Sequence, residues 1–373
     1  MNKKLIALAI AAIAPAAFAA GNEVVLYGQV NVGVVAADHW DVFTYGPNSV
    51  SQVRVDDLNT NSRFGIKGEE DLGGGLKAFF KVEQGIGPDA TVANVGVQGS
   101  SNGNAFASRE GWVGVKGGFG SIGLGRGKSA YQVATENFDL FDGNITLDIN
   151  AGDIAYNFGA AKNTKGELVM VPAGDKVDAF GGAASYRFSN DIKYTYEANG
   201  LSIALDYGLG TKFQEDKDAK TGKSGRNFAA SVQYNFEPFW VISAYNNQKA
   251  VNDNKTDNFL IGGGWGAGPL NVGVAYEYNR ATYASGVNNK QNLVLINTSY
   301  DVGASTFKVG LIHGDKVKSN GNTVKDSDFD RYALGWRYGL SKRTATVVEY
   351  GHIDYKSSFK DATTFTVGLM HSF

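Results

Sequence analysis

Thr363-Thr364-Phe365-Thr366-Val367-Gly368-Leu369-Met370-His371-Ser372-Phe373, the last eleven residues of the chain, decide the fold. Phe365, Val367, Leu369, His371 and Phe373 carry large side chains, and small or flexible ones stand between them. That is the period-two pattern of a β-strand with one greasy face and one lean face. A strand running to the final residue and ending on an aromatic leaves an edge that pairs with other chains and an end that frays. Closing the strand into a membrane barrel removes both problems, because the edge is paired and lipid covers the apolar face.

The same period recurs upstream. In Leu201-Ser202-Ile203-Ala204-Leu205-Asp206-Tyr207 the odd positions are large and apolar and the even ones small or polar; Leu270 to Tyr278 and Tyr332 to Tyr338 repeat this. Any one such strand suits a soluble sandwich as well. Two features favour the barrel. The lean face carries many Gly, Lys, Arg and Glu, and aromatics recur near strand ends at Tyr27, Tyr207, Tyr278, Trp336, Tyr338 and Tyr350, where interfacial girdles are expected.

Tight turns are expected at Asp71 to Gly75, Gly117 to Gly120, Asn199-Gly200, Glu237-Pro238, Ala267 to Pro269, Val302-Gly303 and Gly339 to Ser341. Longer polar loops fall near 37–60, 87–104, 127–182, 211–225, 249–257, 284–289, 315–327 and 357–361. Seven turns and eight loops join sixteen strands. An even count, with short connections on one rim and long ones on the other, predicts an all-β transmembrane antiparallel barrel.

At the other end, Lys3 and Lys4 precede an unbroken apolar run from Leu5 to Ala14 and then Ala17-Phe18-Ala19, the pattern of a cleaved secretory signal over residues 1–20. The run is about half the ~20 residues of a spanning helix. Residues 21–373 are then expected to form one barrel domain, and loss of both lysines takes the formal net charge from -2 to -4. With no basic excess, nothing points to nucleic acid. A secreted chain without cysteine offers no disulfide scaffold, thiolate metal site or cysteine nucleophile. Its mean hydropathy of -0.21 suits alternating strands, which average to neutrality.

Arg63 can be placed by parity alone. Phe64 and Ile66 share one face of their strand and Arg63, Gly65 and Lys67 the other. A charge on the lipid face costs roughly 2–4 kcal/mol at the midplane, so Arg63 points into the lumen. The segment 127–182 is the longest loop, and its acids are interleaved with Phe138, Leu140, Phe141, Ile145, Leu147 and Ile149, an apolar content suited to packing against a wall. Carboxylates opposite arginines at a narrow point would create a transverse field, which is how pores select ions.

Several segments together carry a family resemblance. They are Val25-Leu26-Tyr27-Gly28, Ser62 to Glu69, Leu72 to Leu76, Ser108-Arg109-Glu110, Val113 to Gly117, Phe119-Gly120, Gly125-Arg126, Tyr186-Arg187 with Asn190, and Gly368 to Phe373. In this order, and over the whole mature length, the chain resembles the general diffusion porins of the Gram-negative outer membrane, of the kind found in Neisseria and the Burkholderiales. The resemblance implies a homotrimer of sixteen-stranded barrels in which the third loop, here 127–182, folds into the lumen. It implies passive passage of ions and small hydrophilic solutes without a cofactor, contact with outer-membrane lipid and lipopolysaccharide, and a terminal Phe373 read by the barrel assembly machinery. Carried over to this sequence, the basic wall is Arg63, Arg109 and Arg187, with Arg126 at the strand-to-loop junction. The facing loop acids are taken as Glu136, Asp139 and Asp142. A further basic wall position of many enterobacterial members falls on Gln29, which weakens the cluster.

Catalytic signals are poor. Gly118-Phe119-Gly120-Ser121-Ile122-Gly123 matches a dinucleotide fingerprint by letter but opens no helix, and Gly123 to Ser129 fails the phosphate-loop spacing at Ile122. No two of the four histidines stand at metal-ligand spacing. A barrel hydrolase would have to use His352 with Asp354, two apart on one strand face, which reads more simply as a polar pair at the rim. A substrate-specific channel would want an aromatic track or basic ladder, which the lumen-facing Phe79, Arg331 and Arg337 do not make, and a plugged structural barrel is a third alternative.

Overall fold

The computed structural model describes residues 23–39, 51–56, 58, 62–88, 107, 109–141, 158–162, 168–172, 187–209, 225–250, 253–356 and 361–373. The expected leader 1–20, Asp142 and most of the segment 142–186 lie outside the described residues. The chain runs through β1 (Val24–Asp38), β2 (Gln52–Asp56), β3 (Arg63–Gly73), β4 (Leu76–Gly85), β5 (Glu110–Gly117), β6 (Gly120–Lys128) and α1 (Ala130–Glu136). It continues through β7 (Phe158–Lys162), β8 (Leu168–Pro172), β9 (Arg187–Ala198), β10 (Leu201–Gly208), β11 (Arg226–Phe236), β12 (Phe239–Lys249), β13 (Lys255–Ala267) and β14 (Leu270–Thr282). The last elements are β15 (Asn288–Val302), β16 (Ser305–Gly314), β17 (Lys318–Ser319), β18 (Asn322–Thr323), β19 (Phe329–Gly339), β20 (Thr344–Tyr355) and β21 (Ala362–Ser372).

These segments make sixteen staves. Both β2 and β3 pair with β1, at Val35↔Arg54 and Tyr27↔Gly65, so together they are one interrupted stave. The β7–β8 ribbon forms its own small sheet, and β17–β18 is a hairpin within a loop. All pairings between staves are antiparallel, and every expected tight turn joins consecutive strands. The loops are less bare than the sequence predicts: 37–60 holds β2, 127–182 holds α1, β7 and β8, and 315–327 holds β17 and β18.

The decisive terminal strand closes the ring. β21 pairs with β1 from Gln29↔Ser372 to Asp38↔Thr363. The Phe373 amide donates to the Gly28 carbonyl at 3.0 Å, and the Gly28 amide donates to Phe373 at 3.1 Å. Among the described residues no stave is left with a free edge, which is the condition for backbone polar groups to lie in hydrocarbon.

Alternation then sorts the side chains. Leu26, Val113, Leu124, Ile261, Leu334 and Leu369 stand exposed on the outer face, an apolar surface that lipid covers. Tyr207, Tyr338 and Tyr350 are exposed among them, as the girdle reading expects. Tyr27 departs from that reading. It shares the inward parity of Val25 and Gln29, and its hydroxyl donates to Glu83 at 2.9 Å.

The buried apolar cluster lies inside the ring, because the segment after β6 turns inward. The Ser129 hydroxyl caps α1 by accepting the Gln132 amide at 3.1 Å, and Ala130, Tyr131 and Ala134 form its buried face. Phe138 and Phe141 continue that face beyond the helix, packing with inward residues of the far wall such as Ile242, Leu260, Leu293, Leu295 and Ile312. Glycine makes room for this approach: a Cβ on Gly262 would stand 2.5 Å from the Phe138 ring, and one on Gly335 2.8 Å from the Phe141 ring.

Candidate functional site

The lumen wall of β1, β3, β4, β5, β6 and β9 carries the charges. Cross-strand register places Tyr27, Gly65, Glu83 and Glu110 in one row over four neighbouring strands. A Cβ on Gly65 would stand 2.5 Å from the Tyr27 ring, so this glycine lets the tyrosine lie across β3 and reach Glu83 on β4. Two carboxylates directly opposite in a ladder repel, and cations close around them. Arg109 Nε lies 2.7 Å from Glu83, Arg63 Nε 3.6 Å from it, and Lys81 Nζ 2.9 Å from Glu110. Arg109 and Glu83 are both buried, a pairing that removal of either partner would leave uncompensated.

Arg126 sits where β6 and β9 slip register between Gly125 and Gly127, and it donates to the Ser189 hydroxyl at 2.5 Å. Arg187 pairs in register with Lys128 and lies within electrostatic reach of Arg109, Arg126, Glu83 and Glu110. The four wall arginines are thus gathered on one side of the lumen. Sequence reasoning missed Glu83, Lys81 and Lys193. Their signal was the alternation of Lys77, Phe79, Lys81 and Glu83 along β4, which fixes the face but not the cross-strand partner.

Of the loop acids, Glu136 meets this wall: it lies 2.7 Å from Lys128. Asp139 accepts the Phe141 amide at 2.9 Å and so helps turn the chain after α1. Asp142 lies outside the described residues.

The inner segment is held at both ends. Its first amide, on Ala130, donates to Asp206 of β10, and Asp206 is also 3.2 Å from Lys193. Tyr131 donates to Glu277 of β14, and Asn297 of β15 donates to the Phe138 carbonyl. Phe138 packs on Trp240 with ring centroids 5.1 Å apart, and the Lys308 ammonium stands 5.2 Å over Phe141 while pairing with Glu349 at 3.1 Å. Residues 129–141 therefore run along the inner wall from β6 as far as β19.

The hydrolase alternative gains nothing here. His352 is 2.9 Å from the Thr363 hydroxyl and stacked on Tyr332, and Asp354 pairs with Lys356. Arg331 and Arg337 do face inward, as parity predicts, and Arg331 is buried against Phe329.

A closed barrel with an apolar outside, a charged inner wall and residues 129–141 packed along its inside defines an outer-membrane channel. The family model for Gram-negative porins matches residues 6–358, and the chain belongs to that family. The major outer membrane protein P.IB of Neisseria meningitidis serogroup B is 30% identical over 100% of both chains. Among solved structures, an anion-selective porin from Comamonas acidovorans superposes with a TM-score of 0.73 at 21% identity, over 95% of this chain and 100% of that one. In-vitro folded OmpT of Vibrio cholerae in its trimer form gives 0.63 at 16% identity, over 95% of this chain and 100% of that one. The protein is an oligomeric channel of the outer membrane, through which ions and small hydrophilic solutes diffuse passively.

Proposed function

We propose that the pore is narrowest where residues 129–141 face the basic wall, and that this constriction sets its selectivity. Arg63, Arg109, Arg126 and Arg187 form the positive side, with Glu136 on the helix opposite; Asp139 and Asp142 complete the acidic side. The observation that carries the reading is the double anchoring of the inner segment, through Asp206 at its start and Phe138 and Phe141 beyond the helix. A segment so held keeps its charges at fixed distance from the wall, and fixed charges at close quarters discriminate ions. Glu83 offsets part of the charge of both Arg109 and Arg63, so the field on a passing ion is the balance of the four arginines against the carboxylates among them.

The functional unit is a homotrimer, supported by the trimeric form in which the Vibrio cholerae relative was solved. Residues 21–373 form the single barrel domain after cleavage of 1–20, with 127–182 as the constriction loop, embedded among outer-membrane lipid and lipopolysaccharide. Phe373 acts as the signal to the barrel assembly machinery; its ring lies over Gly28, where an added Cβ would approach it to 2.4 Å.

The test is single-channel current in a planar bilayer, with the reversal potential measured in a salt gradient. Three equal closing steps are expected, and Arg63→Gln should move the reversal potential towards cation preference while Glu136→Gln moves it the other way. Unchanged potentials in both variants would remove the constriction from this place.

A further inference from the structure

Between α1 and the wall of β4, β5, β6 and β9 lies a cavity of about 360 Å³ whose lining combines Phe79 and Trp112 with Lys81, Lys128 and Lys193. We propose that this recess is a transient binding site for small aromatic carboxylates crossing the pore. The inference rests on the diffusion-pore reading and names a solute class within it.

The aromatic half is built rather than incidental. Phe79 and Trp112 project inward from neighbouring strands, at ladder positions offset by one pair: Phe79 faces Gly114, and Lys81 faces Trp112. Both rings are left half-exposed because glycines flank them. A Cβ on Gly123 would stand 3.4 Å from both rings, in the strip between them. On its other side the indole rests on β6, where a Cβ on Gly127 would lie 2.2 Å from Trp112 Nε1. The indole is therefore fixed by backbone on one edge and open towards the cavity on the other. Val133, exposed on α1, supplies apolar surface opposite.

The ionic half presents cations. Each lysine has a carboxylate partner: Lys81 with Glu110 at 2.9 Å, Lys128 with Glu136 at 2.7 Å, and Lys193 with Asp206 at 3.2 Å. Glu110 and Glu136 also line the recess, so Lys81 and Lys128 reach it as ion pairs. In the third pair the acid lies behind the ammonium: Lys193 is 19% exposed against 0% for Asp206. The Lys193 ammonium also stands 5.8 Å from the centre of the Trp112 ring, so positive charge and an aromatic face adjoin at one spot. A planar ring bearing a carboxylate satisfies both at once, by stacking on the indole and pairing with the ammonium groups. A neutral aromatic forgoes the pairing, and an aliphatic acid forgoes the stacking.

The experiment is block of single-channel salt current by phenylacetate, compared with acetate and with 2-phenylethanol, in wild-type protein. An aromatic contact of this kind corresponds to about a two- to tenfold gain in affinity. Phenylacetate should therefore reduce the current at concentrations lower than acetate by about that factor, and at concentrations lower than 2-phenylethanol. In Trp112→Leu the phenylacetate-to-acetate ratio should fall to one, and Phe79→Leu, a milder change, should lower it part way. Equal block by phenylacetate and acetate in wild type, with normal salt current, overturns the site alone. An unchanged ratio in both variants overturns it too. Absence of current in salt alone would instead overturn the pore reading beneath it.

Discussion

The two sides of the barrel interior follow different rules. From β1 to β9 the inward positions include Tyr27, Arg63, Lys81, Glu83, Glu110 and Lys193, all tied into ion pairs or hydrogen bonds. From β11 to β19 they include Ala229, Ala244, Leu260, Ala275, Leu295, Ile312 and Ala333, which are buried under residues 129–141. The parity that puts a residue inside is the same on both sides; what covers it differs. Most inward positions of the charged wall carry charge, whereas those under the inturned segment are small or apolar and leave room for Phe138 and Phe141, except where Glu277, Asn297 and Lys308 bond to it or stand over its rings.

Breaking the covered side should have the largest effect. Phe138→Ala removes a fully buried ring and its contact with Trp240, at about 3–5 kcal/mol. A lower thermal midpoint in detergent and a noisier single-channel current are expected. A quiet, wild-type trace would show that the segment is held without this anchor.

On the charged side, Glu83→Gln leaves Arg109 buried without its counter-ion, at about 3 kcal/mol. The thermal midpoint should fall while the far wall keeps its packing, and double substitution of Glu83 and Arg109 by apolar residues should recover most of the loss. No recovery would mean the pair is not the unit that matters. Between the two sides stands Asp206, which ties the start of α1 to β10 and faces Lys193. Asp206→Asn keeps the shape and weakens a charged acceptor, at about 1–2 kcal/mol, with conductance changed more than stability.

The smallest effect is expected at the turn end of the charged wall, where Lys116 pairs with Glu69 and both are exposed. Lys116→Gln should cost less than about 1 kcal/mol, and that difference should vanish at high salt. A larger loss would extend the buried network to the rim.

Much of this was legible in the sequence because a two-residue period fixes which face a side chain takes. Arg63, Phe79, Arg331 and Arg337 were all placed inward by that rule, and the terminal strand was placed as the closing one. Nearness to a strand end suggests the girdle for Tyr27, but the inward parity it shares with Val25 and Gln29 prevails. The charge network was not legible, because who meets whom depends on register between strands far apart in sequence. Glu83 meets Arg109 and Tyr27 only once β1, β3, β4 and β5 are aligned. The side chain of Asp139 was unpredictable for a local reason: an aspartate two residues before an unpaired amide turns to cap it.

The seam between β1 and β21 also bears on the order of assembly. Its partners, Gln29 and Ser372 at one end and Asp38 and Thr363 at the other, lie almost a whole chain apart, whereas most other staves pair with their neighbour in sequence across a single turn or loop. Loop-closure entropy makes contacts of such separation slow to form. Until the seam zips, the growing sheet carries two bare edges whose amides and carbonyls can accept any strand, so the nascent barrel is most vulnerable to mispairing at the step that completes it.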